Sequence, residues 1–259
     1  MAEALVTCSR SGPIGVVTLA REAKLNALTP AMLDELEAVA RALEADNDLR
    51  VVVLSGAGRR AFCVGADIDA WAALAPLEMW RRWVRRGHRV FDQWARLRQP
   101  VIAAINGHAF GGGLELALTA DIRIAADHAR FALPEASIGT CPGWSGSQRL
   151  VTLVGAGHAK YLALSGKHIS AAEALTRGLV HEVEPAATLT ERALALAATM
   201  AAHAPVSLQL TKQLINAAAG EDAAITLEAM AGALAASTED SAEGVASFRE
   251  KRAPKYVGR

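Results

Sequence analysis

The hydrophobic positions of the first fifty residues follow two patterns, one typical of strands and one typical of a helix. Leu5–Cys8 and Ile14–Leu19 are short β-type runs separated by Ser11-Gly12-Pro13, which predicts a hairpin. Thr29 offers an N-cap oxygen, and Pro30 suits the first position of a helix. The apolar residues that follow repeat at helical spacing, at Leu33, Leu36, Val39, Ala40 and Leu43.

A buried strand followed by a turn occurs twice in the middle of the chain. Val51–Leu54 is predicted as a fully buried strand that ends at Gly56-Ala57-Gly58. Val101–Ile105 is predicted as a second such strand, followed by a turn at Asn106-Gly107. The chain then passes through three glycines into a predicted short helix, Leu114–Ala120.

The pattern becomes helical after two more predicted strands, Ile122–Ala125 and Arg130–Leu133. Helices are predicted over the ranges 146–154, 157–164, 171–177, 186–203, 205–219, 221–236 and 239–251. The sequence therefore predicts an α/β core followed by a helical C-terminal part.

The segment 71–98 differs from its surroundings in composition. It holds Trp71, Trp80, Trp83 and Trp94, four of the five tryptophans, together with seven arginines. The large apolar side chains fall mostly on one helical face, which predicts an amphipathic helix that covers the core. A helix of this kind can also roof a ligand pocket.

Composition and charge exclude several classes of function. Apolar residues make up 52% of the 259 residues, which argues against a disordered chain. Basic and acidic residues balance at 27 each, so no overall field attracts nucleic acid or an anionic membrane. The three cysteines are widely spaced and form no metal-binding or disulfide pattern. No signal peptide or membrane-spanning run is evident, so we expect a cytoplasmic protein without a metal.

Two loops of small residues could expose backbone N–H groups to a ligand. The first lies within Ala61–Ile68, and the second contains Gly111-Gly112-Gly113 at the mouth of a helix. Successive glycines lose much backbone entropy on folding, so three of them at this position suggest a compensating role. Exposed amides at a helix N-terminus can have such a role, because they stabilise developing negative charge. The phosphate-loop pattern GxxxxGK[ST] is absent, so an oxyanion hole is the better interpretation.

Two acids follow these features at positions suited to proton transfer. Glu115 lies just past the three glycines, where an acid also complements the helix dipole. Glu135 follows Pro134, where a predicted strand has ended. Taken alone, each glutamate is better explained by a role other than catalysis, Glu115 by the helix dipole and Glu135 as a solvated loop carboxylate.

Taken together, these motifs resemble the enoyl-CoA hydratase/isomerase (crotonase) family. The resemblance rests on GAD at 65–67, GGGLE at 111–115, PE at 134–135 and GTCPG at 139–143, and it extends from Lys24 to Phe248. It implies an α/β fold in which repeated ββα units form a spiral, followed by a helical trimerisation region. We expect the spiral core to cover residues 1–195 and the helical region residues 196–259.

The resemblance implies an enoyl-CoA hydratase that adds water to the α,β double bond of a 2-enoyl-CoA. By motif, the amides of Ala66 and Gly112 hold the thioester oxygen, and Glu115 and Glu135 are the two acids. We assign Glu115 to the activation of water and Glu135 mainly to the protonation of Cα, and a single glutamate that does both is the alternative. Retention of both acids favours hydration, because double-bond isomerisation needs only one. An isomerase, or another acyl-CoA reaction of the family, remains the alternative.

The resemblance also implies the substrate-binding residues and partners. These residues are Ala23, Lys24, Leu25, Ala27, Gly65, Asp67, Ile68, Gly111, Pro134 and Trp144. Coenzyme A enters as part of the substrate, so no separate cofactor is expected. The expected assembly is a homotrimer or a dimer of trimers, in which Phe248 and Lys251 reach a neighbouring subunit's ligand. Nucleic acid and membrane are not expected partners.

Two departures from the family pattern modify this expectation. Ser145 stands where a glycine is common, and the abundance of tryptophan predicts an aromatic-walled pocket for short or ring-bearing acyl groups. A serine hydrolase using Ser145 with His108 or His158 and Asp121 was a further hypothesis, but the GxSxG elbow is missing. A noncatalytic RNA binder is disfavoured by the neutral charge balance.

Overall fold

The computed structural model describes residues 4–259, which form two compact units that divide between Gln209 and Leu210. The boundary expected at residues 195 and 196 lies inside a helix, Leu189–Ala201, whereas the two units divide at residues 209 and 210. That helix packs on the central strands of the larger unit, so its two halves belong to one core.

Ten strands run through the described residues of the larger unit, from residue 4 onward. They are β1 Val6–Ser11, β2 Ile14–Leu19, β3 Val51–Gly56, β4 Ala61–Cys63, β5 Val101–Ile105, β6 His108–Phe110, β7 Ile122–Ala126, β8 Arg130–Ala132, β9 Ile169–Ser170 and β10 Glu182–Glu184. Six of them form one sheet in the order β1-β2-β3-β5-β7-β10, and four form a second in the order β4-β6-β8-β9.

Each repeat of the chain gives one strand to each sheet. The parallel strands β3, β5 and β7 lie side by side in the first sheet, and the parallel strands β4, β6 and β8 lie side by side in the second. A helical segment follows each strand pair. The predicted spiral of ββα units is therefore confirmed, with the predicted hairpin β1–β2 at its start.

The helices complete the two units. They are α1 Pro30–Ala45, α2 Ile68–Trp71, α3 Pro76–Glu78, α4 Arg85–Ala95, α5 Gly112–Ala117, α6 Gly146–Ser165, α7 Ala171–Thr176, α8 Leu189–Ala201, α9 Pro205–Ala218, α10 Ala223–Ala236 and α11 Glu239–Glu250. Short 3-10 turns cover Glu22–Lys24 and Glu135–Ile138, and a π-helical segment covers Met79–Val84.

Local sequence signals explain where the longer helices begin and bend. The hydroxyl of Thr29 accepts a hydrogen bond from the Met32 amide at 3.2 Å, and Pro30 opens α1, as predicted. The helices predicted over 146–154 and 157–164 join into α6, with a non-helical residue at Gly155. The break agrees with the predicted boundary because Gly155 takes a φ of 75°.

The segment 71–98 is helical in several pieces rather than one. Phe91 and Trp94 on α4 are buried as predicted, whereas Trp80 is 56% exposed. The π-helical segment Met79–Val84 lies between the two parts and shifts the helical register, so Trp80 no longer shares the buried face. The expectation of one continuous amphipathic helix is wrong at this point.

Two short strands interrupt the region predicted to be helical throughout after residue 145. β9 pairs antiparallel with β8, and β10 pairs parallel with β7 at the edge of the larger sheet. Strands of two and three residues carry no detectable hydrophobic period, so the sequence pattern misses them. The predicted helix at Leu114–Ala120 also begins earlier, at Gly112.

Within residues 4–259, no single helix is long and apolar enough to cross a membrane. The bent pair α8 and α9 passes the length and composition criteria only when its two helices are counted together.

Candidate active site

The loops after β4 and β6 lie against each other in the larger unit. β4 and β6 pair in parallel, so the chain leaves both strands at the same edge of the second sheet. A Cβ built on Gly65 would lie 3.2 Å from the Gly112 nitrogen, and one built on Gly112 would lie 3.5 Å from the Ala66 nitrogen. The two predicted oxyanion-hole amides are therefore close neighbours.

A glycine with positive φ precedes each of these amides. Gly65 has a φ of 103° and Gly111 a φ of 49°, a region that L side chains rarely adopt. These conformations turn the following amides of Ala66 and Gly112 away from the regular hydrogen-bonding pattern. Within residues 4–259, neither amide donates a hydrogen bond to a backbone carbonyl, so both are free to bind a ligand oxygen.

A cavity of about 530 Å³ brings the predicted catalytic groups together. Its lining includes Ala66 and Gly112 together with the side chains of Glu115 and Glu135. Gly65, Ile68, Gly111, Pro134 and Trp144 of the predicted substrate-binding set also line it. Along the described part of the chain, the lining holds no lysine, arginine or histidine.

Four tryptophans make part of the cavity wall aromatic. Trp71, Trp80 and Trp83 from the segment 71–98 line it, and Trp144 adds a fourth indole. Trp144 packs against Trp83 with ring centroids 5.2 Å apart and against Phe91 at 5.1 Å. The helical segment therefore covers a pocket as well as the core.

Glu115 is held by the backbone of a neighbouring turn. Its carboxyl is 3% exposed, and Oε1 accepts hydrogen bonds from the amides of Trp144 and Gly146, each at 2.8 Å. Burial raises the pKa of Glu115, whereas these amides and the charge of Arg149 oppose the rise. The amide hydrogen bonds favour the ionised carboxylate.

Glu135 has a different environment on the same cavity. It begins the 3-10 turn after β8 and is 9% exposed. Within residues 4–259, its Oε2 atom is buried without a hydrogen-bond partner. Burial raises the pKa of Glu135 to about 7, and the nearby charge of Glu115 adds to the rise. Glu135 therefore holds a proton more readily than an ordinary glutamate.

The remaining predicted binding residues lie beside the cavity rather than in its wall. The segment that contains Ala23, Lys24, Leu25 and Ala27 joins the first loop through backbone hydrogen bonds from Val64 to Leu25 at 3.2 Å and from Leu28 to Gly65 at 2.8 Å. Asp67 caps α2 by accepting from the Asp69 amide at 3.2 Å, as predicted, and pairs with Arg21 at 2.6 Å.

The hydroxyl of Ser145 does not form the hydrolase arrangement considered from the sequence. It lies 3.0 Å from Nδ1 of His88 and 3.3 Å from Oδ1 of Asp92, rather than beside His108, His158 or Asp121. Ser145 is also absent from the described lining of the cavity. Sequence reasoning missed His88 and Asp92, although their i, i+4 spacing on α4 was a usable signal.

The sequence was compared with known protein families. The family model described as "Enoyl-CoA hydratase/isomerase" matches residues 9–259. The chain is 40% identical to the short-chain-enoyl-CoA hydratase of Clostridium acetobutylicum over 249 residues, which cover 95% of each chain. It is 39% identical to the 2,3-dehydroadipyl-CoA hydratase of Escherichia coli over the full length of both.

Solved structures agree with this similarity. A crystal structure of an enoyl-CoA hydratase from Bacillus anthracis has a TM-score of 0.82 at 38% identity, covering 98% of this chain and 100% of the other. Together with the ββα spiral and the full-length family match, this similarity confirms the resemblance seen in the motifs. The chain belongs to the enoyl-CoA hydratase/isomerase family.

Proposed function

We propose that the protein is an enoyl-CoA hydratase that adds water across the α,β double bond of a 2-enoyl-CoA. The observation that carries the proposal is that one cavity is lined by two free amides and by two carboxyl groups whose pKa values are both raised by burial. Each of the four groups has a task in this reaction.

The amides of Ala66 and Gly112 bind the thioester oxygen. When a nucleophile adds at Cβ, the π electrons move onto the thioester and charge builds on that oxygen. Donors already aimed at the oxygen lower the barrier, by roughly 3–4 kcal/mol each in other enzymes. The positive-φ glycines before both amides support this role, because they hold the N–H groups away from competing acceptors.

Glu115 orients and deprotonates the water. Its Oε1 atom is committed to the Trp144 and Gly146 amides, which stabilise the carboxylate and leave Oε2 as the base. The water oxygen forms the bond to Cβ, and its proton passes to Glu115. This step produces the enolate that the two amides stabilise.

Glu135 supplies the second proton. With a pKa of about 7, the carboxyl carries a proton in about half of the molecules in neutral solution, and its Oε2 atom is buried without a hydrogen-bond partner among residues 4–259. It gives that proton to Cα as the enolate collapses to the thioester. The pair then exchanges one proton through solvent, which restores ionised Glu115 and protonated Glu135.

The CoA portion of the substrate extends along the segment that holds Ala23, Lys24, Leu25 and Ala27. The hydrogen bonds that join this segment to the Ala66 loop support the assignment, since the thioester and the pantetheine must be adjacent. Lys24 is exposed there and can meet a CoA phosphate. The mechanism requires neither a metal nor a separate cofactor.

The acyl pocket favours short or ring-bearing acyl groups without charge. Four indoles line the cavity, and aromatic contacts contribute about 0.5–1.5 kcal/mol beyond the area that they bury. A negatively charged acyl terminus would find two carboxyl groups and no cation in the described lining.

We also propose a homotrimer or a dimer of trimers, in the cytoplasm. The smaller unit exposes a set of apolar side chains, Leu214, Ile215, Ile225, Leu227, Leu234 and Phe248. Exposed apolar surface of this kind commonly marks an assembly interface. Sedimentation equilibrium should give a mass of three or six chains, and a monomer at micromolar concentration would contradict the assembly.

An isomerase is the second candidate, because the matching family model covers both activities and isomerisation needs one proton carrier. The experiment that separates the two assays a panel of 2-enoyl-CoA and 3-enoyl-CoA thioesters with Glu115→Gln and Glu135→Gln. Hydration should be lost in both variants. Glu191→Gln, at an exposed position on α8, is the matched control and should retain activity.

Two results would reject the hydratase. The first is a wild-type protein that hydrates none of the thioesters. The second is a Glu115→Gln variant that keeps full activity while Glu135→Gln loses it, which would favour isomerisation through a single carboxyl.

A further inference from the structure

Ser145 adopts a backbone conformation that serine avoids. Its φ is 73° and its ψ is 8°, in the left-handed region, which costs a non-glycine residue about 1–2 kcal/mol. It precedes α6 but its side chain caps no amide of that helix. Something other than helix capping must therefore hold it in place.

A partly buried polar cluster holds the Ser145 side chain. The hydroxyl contacts His88 Nδ1 at 3.0 Å and Asp92 Oδ1 at 3.3 Å. Asp92 also accepts from Arg149 at 2.8 Å and pairs with His88 at 3.2 Å. The cluster links α4 to the first turn of α6, and Ser145 is only 6% exposed within it.

The conformation of residue 145 determines where its neighbouring amides point. The Trp144 and Gly146 amides, on either side of it, converge on the same oxygen of Glu115. Two amides separated by one left-handed residue form a concave site for an anion. If residue 145 leaves that conformation, the two amides can no longer both reach Oε1.

We propose that Ser145, anchored by His88 and Asp92, is a positioning residue that fixes the Glu115 carboxylate. This inference rests on the proposed role of Glu115 in water activation. The hydroxyl acts on the reaction only through the backbone turn, because it faces the polar cluster rather than the described cavity wall. A direct nucleophilic role is unsuited to it for the same reason.

Two substitutions at one position test the inference. Ser145→Ala removes the hydroxyl that anchors residue 145, and alanine disfavours positive φ as serine does. The Glu115 carboxylate should then be misplaced, and hydration kcat should fall roughly ten- to hundredfold, the loss typical of a small misplacement of a catalytic group. KM should change little, since the thioester and CoA contacts are untouched. Ser145→Gly should recover most of the loss, because glycine adopts positive φ without penalty.

The partner of the hydroxyl provides a second test. His88→Ala should lower kcat in the wild-type background but have little further effect in the Ser145→Gly background, because glycine needs no anchor there. Such non-additivity identifies two residues that act through the same structure. Additive losses, or equal losses in Ser145→Ala and Ser145→Gly, would overturn the inference.

A measurement independent of activity separates this inference from the proposed function. Hydrogen exchange of the Trp144 and Gly146 amides should speed up in Ser145→Ala and remain slow in Ser145→Gly. Unchanged exchange in Ser145→Ala would refute the positioning role whatever reaction the enzyme performs. Faster exchange in a protein that hydrates no enoyl-CoA would instead reject the proposed function and leave the positioning role standing.

Discussion

The guanidinium of Arg21 bonds the carboxylate of Asp67 at 2.6 Å and so ties the segment before α1 to the loop that carries Ala66. The same guanidinium donates to the Ala27 carbonyl at 2.9 Å. Both side chains are largely buried, and the pair lowers the pKa of Asp67 below its ordinary value. One arginine thus joins the predicted CoA-binding segment to the predicted oxyanion loop.

Asp67→Ala should therefore reduce both stability and turnover. Loss of the cap on α2 and of the Arg21 pair should lower the free energy of unfolding by about 1–2 kcal/mol. The freed loop misplaces the Ala66 amide, so hydration kcat should fall about tenfold. Denaturant titration and steady-state kinetics measure the two effects. Glu78→Ala, which removes an exposed pair with Arg82, is the control and should change neither value appreciably.

The pH dependence of turnover should follow the carboxyl pair. The productive state has Glu115 ionised and Glu135 protonated, so hydration kcat/KM should decline as pH rises through about 7. The reaction releases no net proton, and the reverse dehydration uses the same total protonation of the pair. The kcat/KM profiles of the two directions are therefore parallel for any assignment of the acids, so the test is the hydration profile itself. A hydration kcat/KM that stays constant or rises between about pH 6 and pH 8 would contradict this assignment.

The same pKa predicts a pH-dependent effect on stability. The folded-state pKa of Glu135, about 7, lies above the reference value of 4.5, so the wild-type protein loses stability as pH rises from 4.5 to 7. Glu135→Gln removes that loss and should unfold with up to about 3 kcal/mol more free energy at pH 8, with little difference at pH 4. Urea titrations at both pH values test this.

Glu243 provides a control of opposite sign for that experiment. Hydrogen bonds from Arg252 lower the pKa of Glu243 to about 2, so its contribution is present above pH 4.5 and lost as pH falls towards 2. Glu243→Gln should therefore destabilise the protein at pH 8. A Glu135→Gln variant that is less stable than wild type at pH 8 would contradict the buried-acid account.

Close packing at Gly87 should make the site sensitive to one methyl group. A Cβ at Gly87 would overlap the indole of Trp144, whose amide binds Glu115. Gly87→Ala should cost about 1–3 kcal/mol of stability through overpacking and also lower hydration kcat. Gly157→Ala, on α6 with open space around it, should stabilise the protein by about 0.5–1 kcal/mol. Thermal unfolding compares the pair.

The aromatic wall should determine acyl selectivity. Trp80→Ala should lower kcat/KM for cinnamoyl-CoA relative to crotonyl-CoA by roughly three- to tenfold, the factor expected for one aromatic contact. Leu77→Ala removes a nearby exposed side chain that is not part of the described lining and should leave the ratio unchanged. If the wild-type protein turned over long straight-chain enoyl-CoA thioesters as fast as short or ring-bearing ones, that result would argue against the aromatic pocket.

The sequence predicts the repeated strand pairs and the catalytic motifs because both are local. Val51, Val101 and their neighbours form apolar runs long enough to identify strands. Gly65 and Gly111 indicate a backbone with positive φ, because glycine adopts that conformation readily. The order of these motifs along the chain also identifies the family. The strand pairs account for most of the larger unit. The motifs supply four groups of the cavity, which are the amides of Ala66 and Gly112 and the carboxyl groups of Glu115 and Glu135.

The features that the sequence does not predict depend on contacts between distant segments. β10 is too short to show a pattern and forms only because β7 offers an edge. The i, i+4 spacing of His88 and Asp92 is visible in the sequence, but Ser145 lies more than fifty positions away, so its contact with that pair is not. The π-helical register at Met79–Val84 likewise depends on packing rather than on hydrophobic periodicity.

The parallel pairing of β4 with β6 has a consequence for how this site can change. Because each free amide lies in the loop after one of two adjacent parallel strands, which neighbour each other at about 4.8 Å in a sheet, the strand pairing keeps the two loops side by side. Exchange of side chains leaves such a spacing intact. New reactions on this scaffold are therefore more accessible by substitution of the acids and the cavity-lining residues than by displacement of the two amides that bind the carbonyl oxygen.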